Sequence, residues 1–257
     1  MSGAADNRDI VTAAVLIIGN EILSGRTQDV NLNYLAKRLA ELGIKLSEAR
    51  VVADIPDEII AAVNALRARY DHVFTTGGIG PTHDDITSEC VARAFGLPLI
   101  RHPEALQRLE QHYEPGKLNE ARLRMANTPE GAVLIDNPIS AAPGYRIGNV
   151  YVLAGVPAIM RAMFDTIAGT LRHGAPIQSR AIGAFLGEGV IAKGLGEIQA
   201  DYPELDVGSY PFFRQGRYGA SFVIKGTDPS RIEAAADSLR RLIRTLGAEP
   251  IEGELPE

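Results

Sequence analysis

The sequence predicts an α/β protein: a mostly parallel sheet with helices on both faces, followed by a small α+β domain. Three observations predict it. Val11 to Gly19 is continuously apolar, as a strand covered on both faces must be. Apolar residues at helical spacing follow it, and the strand-then-helix order repeats twice more before residue 100. After His173-Gly174-Ala175-Pro176 the order changes to strand, helix, strand, strand, helix.

Each element has a local reason. Leu32, Leu35, Ala36, Leu39 and Leu42 form one helical stripe that Gly43 can end. A second strand covers 44–53, and Pro56 opens a helix carrying Ile59, Ile60, Val63 and Leu66. The third strand is Val73–Thr76, and the helix after it carries Ile86, Val91, Ala94 and Phe95. Helices are expected over 102–113 and 118–126, strands over 133–135 and 150–153, with turns at Asn137-Pro138 and Pro143-Gly144. Pro157 starts a last helix. The two domains are expected at 10–174 and 177–250, with a frayed acidic tail from Ile251 and a solvated face of Arg240, Arg241 and Arg244.

Of 257 residues, 46% are hydrophobic and 23% charged, which suffices for a sizeable core. The net charge of −6 argues against nucleic acid or an anionic membrane as partner. From residue 175 onward nine Lys/Arg face twelve Asp/Glu, which disfavours RNA as a partner of that domain. The single cysteine, Cys90, excludes an intrachain disulfide and reads as a buried structural thiol. The N-terminus has no basic-then-apolar signal pattern and no run reaches membrane-spanning length, so a cytoplasmic protein is expected.

The chemistry concentrates in residues 73–87. A short strand runs through Thr76 into Gly77, Gly78 and Gly80, then into Asp84 and Asp85 at a helix start. Glycines let backbone N–H groups approach a ligand, and a helix N-terminus favours an anion, so the loop suits a phosphate. Either aspartate could simply cap the helix, but one suffices for that. Glu21, after the first strand, could be a loop charge, and Asp54, after the second, a cap. Yet parallel strands deliver Glu21, Asp54 and Asp84/Asp85 to the same sheet edge, where open α/β sheets bind ligands. Together they suggest a divalent ion (Mg, Mn or Co) held beside a phosphate. No P-loop, H-E-x-x-H, G-x-G-x-x-G or G-x-S-x-G motif competes with this reading.

Gly-Asn-Glu-Ile-Leu-Ser-Gly (19–25), Asp-Val-Asn (29–31), the stretch 75–89, Asn-Pro-Ile-Ser-Ala-Ala-Pro-Gly-Tyr (137–145) and Leu-Ala-Gly-Val-Pro (153–157) resemble the CinA family of competence/damage-inducible proteins. Its first domain is similar to the molybdopterin-binding MoaB/MogA domain, which implies a three-layer α/β/α architecture. Ala154 stands where that family usually has proline, and His83-Asp84-Asp85 matches CinA, whereas MogA-type loops carry Arg-Asp. Residues 177–246 look like the small second domain of CinA proteins and of eukaryotic FAD synthases. The deamidase domain of full-length CinA is missing, so a stand-alone form is expected. The resemblance implies Asp54 and Asp85 as the catalytic pair, Glu21 and Asp84 joining them as metal ligands. The candidate ligand-binding residues are Gly19, Asn20, Thr76, Gly77, Gly78, Gly80, Thr87, Gly144 and Gly155. It further implies an adenine-nucleotide or pterin ligand, metal-dependent hydrolysis of an ADP-ribose-like or FAD-like pyrophosphate, and a homo-oligomer. The alternatives are molybdopterin binding with adenylylation, and a non-catalytic binding module.

Overall fold

The computed structural model describes residues 10–214 and 216–253. The chain divides into two compact units, with the boundary between Gly174 and Ala175. The first contains β1 (Val11–Ile18), α1 (Asn20–Leu23), α2 (Asn31–Glu41), β2 (Ile44–Val52), α3 (Pro56–Arg67), β3 (His72–Thr76) and α4 (Thr87–Phe95). It continues with β4 (Leu99–Arg101), α5 (Pro103–His112), α6 (Glu120–Leu123), β5 (Asn127–Pro129), β6 (Val133–Ile135), β7 (Gly144–Ile147), β8 (Val150–Leu153) and α7 (Pro157–Ile167).

Six strands form one sheet in the order β2-β1-β3-β8-β7-β6. The first four are parallel, whereas β7 runs antiparallel to both neighbours. The alternation of a strand explains why β1 is apolar throughout. Val11, Ala13, Val15 and Ile17 pack with Leu35 and Leu39 of α2 and Met160, Met163 and Phe164 of α7. Ala14, Leu16 and Ile18 pack on the other face with Ile59, Val63 and Leu66 of α3 and Val91 of α4. Two hydrophobic layers flank one sheet, which gives the three-layer α/β/α architecture. Cys90 is buried in the second layer, where desolvation pushes its thiol up to about 11, as a structural thiol should be.

The second unit comprises β9 (Gln178–Ala184), α8 (Glu188–Asp201), β10 (Asp206–Arg214), β11 (Arg217–Gly226), α9 (Pro229–Thr245) and β12 (Ile251–Glu252). Its antiparallel sheet has the order β10-β11-β9-β12. Ile182, Phe222 and Ile224 meet Ile191 of α8 and Leu239 and Ile243 of α9 in its core.

Four expectations need correction. The Pro143-Gly144 turn continues directly into β7, which is four residues long and hard to see beside turn residues. The helix expected over 118–126 is broken into the single turn α6 and a 3-10 turn at Arg124–Ala126, freeing the chain to form β5 against β4. The tail is not frayed at its start, because Ile251 and Glu252 pair with Gly183 and Ile182; residues 254–257 lie outside the described residues. Arg240 is not a solvated residue: its side chain is 14% exposed and binds Glu233, Asp237 and Glu252. An Arg reaching three carboxylates at once holds that last strand to α9.

Candidate functional site at the carboxyl rim of the sheet

Strand order 2-1-3 makes the gap between β1 and β3 a topological switch point, where the chain leaves neighbouring strands in opposite directions and opens a crevice. Gly19–Glu21 leave β1 there and Gly77–Gly80 leave β3. Gly77 N–H donates to Leu153 O (3.3 Å), and a Cβ on Gly77 would collide with Ile18 O. Its φ of 102° likewise demands glycine. Gly78 (φ 69°) is just as confined, since a Cβ there would strike the Thr87 hydroxyl. Thr87 holds the loop in place: its N–H donates to Gly78 O and its hydroxyl to Gly77 O, both at 3.0 Å. The turn leaves the N–H groups of Gly78, Ile79 and Gly80 without a protein acceptor among the described residues. Three free amides in one glycine turn can hold an anion.

The carboxylates reach this rim, and two of them are held by protein donors. Asp54 Oδ2 accepts from Asn20 N–H at 2.8 Å, joining the ends of β2 and β1. Asp85 Oδ2 accepts from Thr82 N–H (2.7 Å) and the Thr82 hydroxyl (2.5 Å). Glu21 is exposed and its carboxylate lies against Gly19, where a Cβ would sit 2.5 Å from Oε2. Asp84 is exposed, and the Thr82 hydroxyl holds its carboxyl below the usual carboxylate range. Among the described residues no three His, Cys, Asp or Glu side chains converge as ligands of one ion. Of the expected cluster, Asp54 is held by Asn20 N–H and Asp85 by Thr82, while Glu21 and Asp84 are exposed at the same rim.

The other candidates divide by position. Gly19 and Asn20 stand at the end of β1 and Gly80 packs against Asp85. Thr76 and Thr87 are buried, so their side chains shape the loop from behind. Gly144 is buried in β7, where a Cβ would meet Val152 O at 2.5 Å; close strand pairing accounts for that glycine. Gly155 approaches Gly77, at 3.2 Å from Cβ position to Cα, and its carbonyl accepts from Asn31 Nδ2 at 2.8 Å. Asn31 is thus a rim-organising residue, placed by the Asp29 side chain that caps Leu32 N–H at 2.9 Å.

Beside the glycine loop lies a pocket of about 180 Å³. Asp85, Ser88, Glu89 and Tyr145 contribute its polar wall with Arg124 and Asn127, while Ile79, Leu99, Met125 and Pro143 are the apolar part. Arg124 and Asn127 were not legible as site residues, since nothing in their local sequence signals that the 3-10 turn and β5 bring them to α4; Tyr145 belongs to the 137–145 motif but was not singled out from it. The His83-Asp84-Asp85 loop lacks a cation of its own, and Arg124 supplies one from 39 residues away, donating from Nη2 to Asp85 O at 3.3 Å.

Residues 14–173 match the family described as probable molybdopterin binding domain, and residues 176–249 match the FAD synthase middle domain. The first unit is 34% identical to the crystal structure of CinA from Thermoplasma acidophilum, with a TM-score of 0.60 over 63% of this chain and 98% of that one. The chain belongs to the CinA family, with a MoaB/MogA-like first domain. A protein of Archaeoglobus fulgidus is 32% identical over 89% of this chain and 96% of its own length. A probable FAD synthase of Caenorhabditis elegans is 32% identical over 90% of this chain and 50% of its own. The Archaeoglobus fulgidus and Caenorhabditis elegans relatives match across both units, whereas the CinA crystal structure matches the first. Among the described residues no helix is long and apolar enough to cross a membrane.

Proposed function

We propose that the carboxyl rim of the first unit binds a dinucleotide-like pyrophosphate, ADP-ribose or an FAD-like relative, and hydrolyses it. The observation that carries this reading is the free amide cradle of Gly78, Ile79 and Gly80 placed beside Asp85 and across the switch point from Asp54. The amides would hold anhydride oxygens and stabilise charge developing on them. Water adds to one phosphorus, the bridging P–O bond breaks, and the departing phosphate takes the electron pair. Asp54 and Asp85 are the groups able to accept the water's proton. With ADP-ribose the products are AMP and ribose 5-phosphate. The similarity of residues 176–249 to an FAD synthase domain supports an adenine dinucleotide as ligand.

A divalent ion (Mg, Mn or Co) belongs to the proposal only as a companion of the substrate phosphates. It would neutralise anhydride charge and acidify a bound water. Asp54, Asp84, Asp85 and Glu21 at the rim are the groups that would face it.

The second reading is molybdopterin binding with adenylylation, favoured by the match of residues 14–173 and by Arg124, which can pair directly with a phosphate. A product panel separates the readings: ADP-ribose, FAD, NAD and ATP, each with and without Mg, Mn or Co. Cleavage at the pyrophosphate supports hydrolysis. Cleavage of none, with molybdopterin bound and adenylylated by ATP, supports the second reading. Binding without turnover of any would leave a non-catalytic module.

A further inference from the structure

We infer that the pocket beside the glycine loop is an anion subsite, in which Arg124 and the Tyr145 hydroxyl receive a phosphate group of the ligand. The inference rests on the proposed phosphate-binding role of the rim and extends it to residues outside the glycine loop. Three independent observations support it.

Arg124 makes one hydrogen bond, to a backbone carbonyl, and no ion pair among the described residues. Arg108, by contrast, is engaged by Glu104 and Asp136, and Arg240 by three carboxylates. An exposed arginine whose five donors serve a single carbonyl has capacity for an oxyanion. The hydroxyl of Tyr145 is the second observation. The residue is 2% exposed, lines the pocket and sits beside Ser88, yet its oxygen has no partner of ordinary hydrogen-bonding geometry among the described residues. Buried hydroxyls are seldom left so, and a ligand oxygen is a suitable partner. Third, α4 is nine residues long, starts at this pocket and has no side-chain cap, so its positive end is open to a ligand.

Charge balance makes Arg124 decisive. The lining holds one cation, Arg124, against Asp85 and Glu89, a formal sum of −1. Without the arginine it becomes −2, and only the helix terminus and neutral donors would oppose the repulsion. Asp85 is turned onto Thr82, which directs its charge toward that donor pair. Asn127 and Ser88 add neutral donors on either side.

Titration calorimetry of the full chain with inorganic pyrophosphate and, separately, adenosine tests this, in buffer with EDTA so that no added ion bridges the partners. Wild type should bind pyrophosphate, Arg124→Gln should bind it at least tenfold more weakly, and Arg124→Lys should fall between. Tyr145→Phe should lose about fivefold while its melting temperature stays level or rises, because an unpartnered buried hydroxyl has been removed. Adenosine affinity should be the same in all four proteins. Equal pyrophosphate affinity in wild type and Arg124→Gln would overturn the inference. So would parallel loss of adenosine binding, a falling melting temperature in Tyr145→Phe, or no pyrophosphate binding by wild type. None of these readouts depends on turnover, so the hydrolytic reading stands or falls separately on its products.

Discussion

Asp54 Oδ2 and the backbone N–H of Asn20 are 2.8 Å apart, although 34 residues separate them. This bond ties the loop after β2 to the first turn of α1, so one carboxylate fixes the geometry of both sides of the crevice. An aspartate so used is structural and available to chemistry at once, since its other oxygen has no protein partner among the described residues. Asp54→Ala should lower stability by about 1 kcal/mol, as loss of a helix-start acceptor does. Its effect on pyrophosphate hydrolysis should be far larger, on the order of a hundredfold in kcat. Asp54→Asn, which keeps the acceptor, should restore stability but not turnover. Urea melts and steady-state rates on the same preparations check both halves.

Gly77 should tolerate no side chain. With φ at 102° and the Ile18 carbonyl where a Cβ would go, Gly77→Ala should cost about 3 kcal/mol in denaturant unfolding. Gly25, equally left-handed at φ 71° but open to space, should cost about 1 kcal/mol. Equal losses at the two sites would show that the close approach of β1 and β3 is not what confines Gly77.

Thr87→Val removes a hydroxyl bonded to Gly77 O while preserving shape. The buried carbonyl loses its partner, and stability should drop by about 1–2 kcal/mol. Ligand affinity should fall along with it, because the amides of Gly78–Gly80 are no longer held in register. Amide hydrogen exchange in residues 77–87, faster in the variant than in wild type, reports that loosening directly.

His72 sets an acid limit on the first unit. It is 6% exposed, and burial lowers its imidazole below its usual 6.5, against the raising effects of the Arg172 carbonyl and of Asp71. With the folded pKa depressed, the unfolded chain binds the proton first. Stability should therefore be constant above 6.5 and decline as pH falls from there toward the folded value. His72→Gln should flatten the slope of melting temperature against pH between 7 and 5; an unchanged slope would assign the acid sensitivity to other groups.

The elements legible in the sequence were those whose burial is set locally. Val11–Ile18 reads as a central strand because both of its faces are covered, and the α2 stripe through Leu35 and Leu39 shows the side it buries. Gly77 and Gly78 were legible as a tight loop, and Asp54 and Asp85 as rim residues. Less was legible where long-range contacts decide. Gly144–Ile147 becomes a strand only because β6 and β8 lie on either side of it. Sequence order also brings Glu21, Asp54, Asp84 and Asp85 to one edge without revealing their partners; Asn20 and Thr82 take two of them. Arg124 had no motif at all, since its place beside Asp85 depends on the chain folding back after α5 and α6.

The most direct test of rim hydrolysis is the rate of AMP formation from ADP-ribose by wild type and by Asp85→Asn, assayed with Mg, Mn or Co at equal folded concentration. The expected result is AMP and ribose 5-phosphate in equal amounts from wild type, with a rate at least a hundredfold lower from Asp85→Asn and unchanged circular dichroism. No AMP from wild type under any ion, or equal rates from the two proteins, would contradict it.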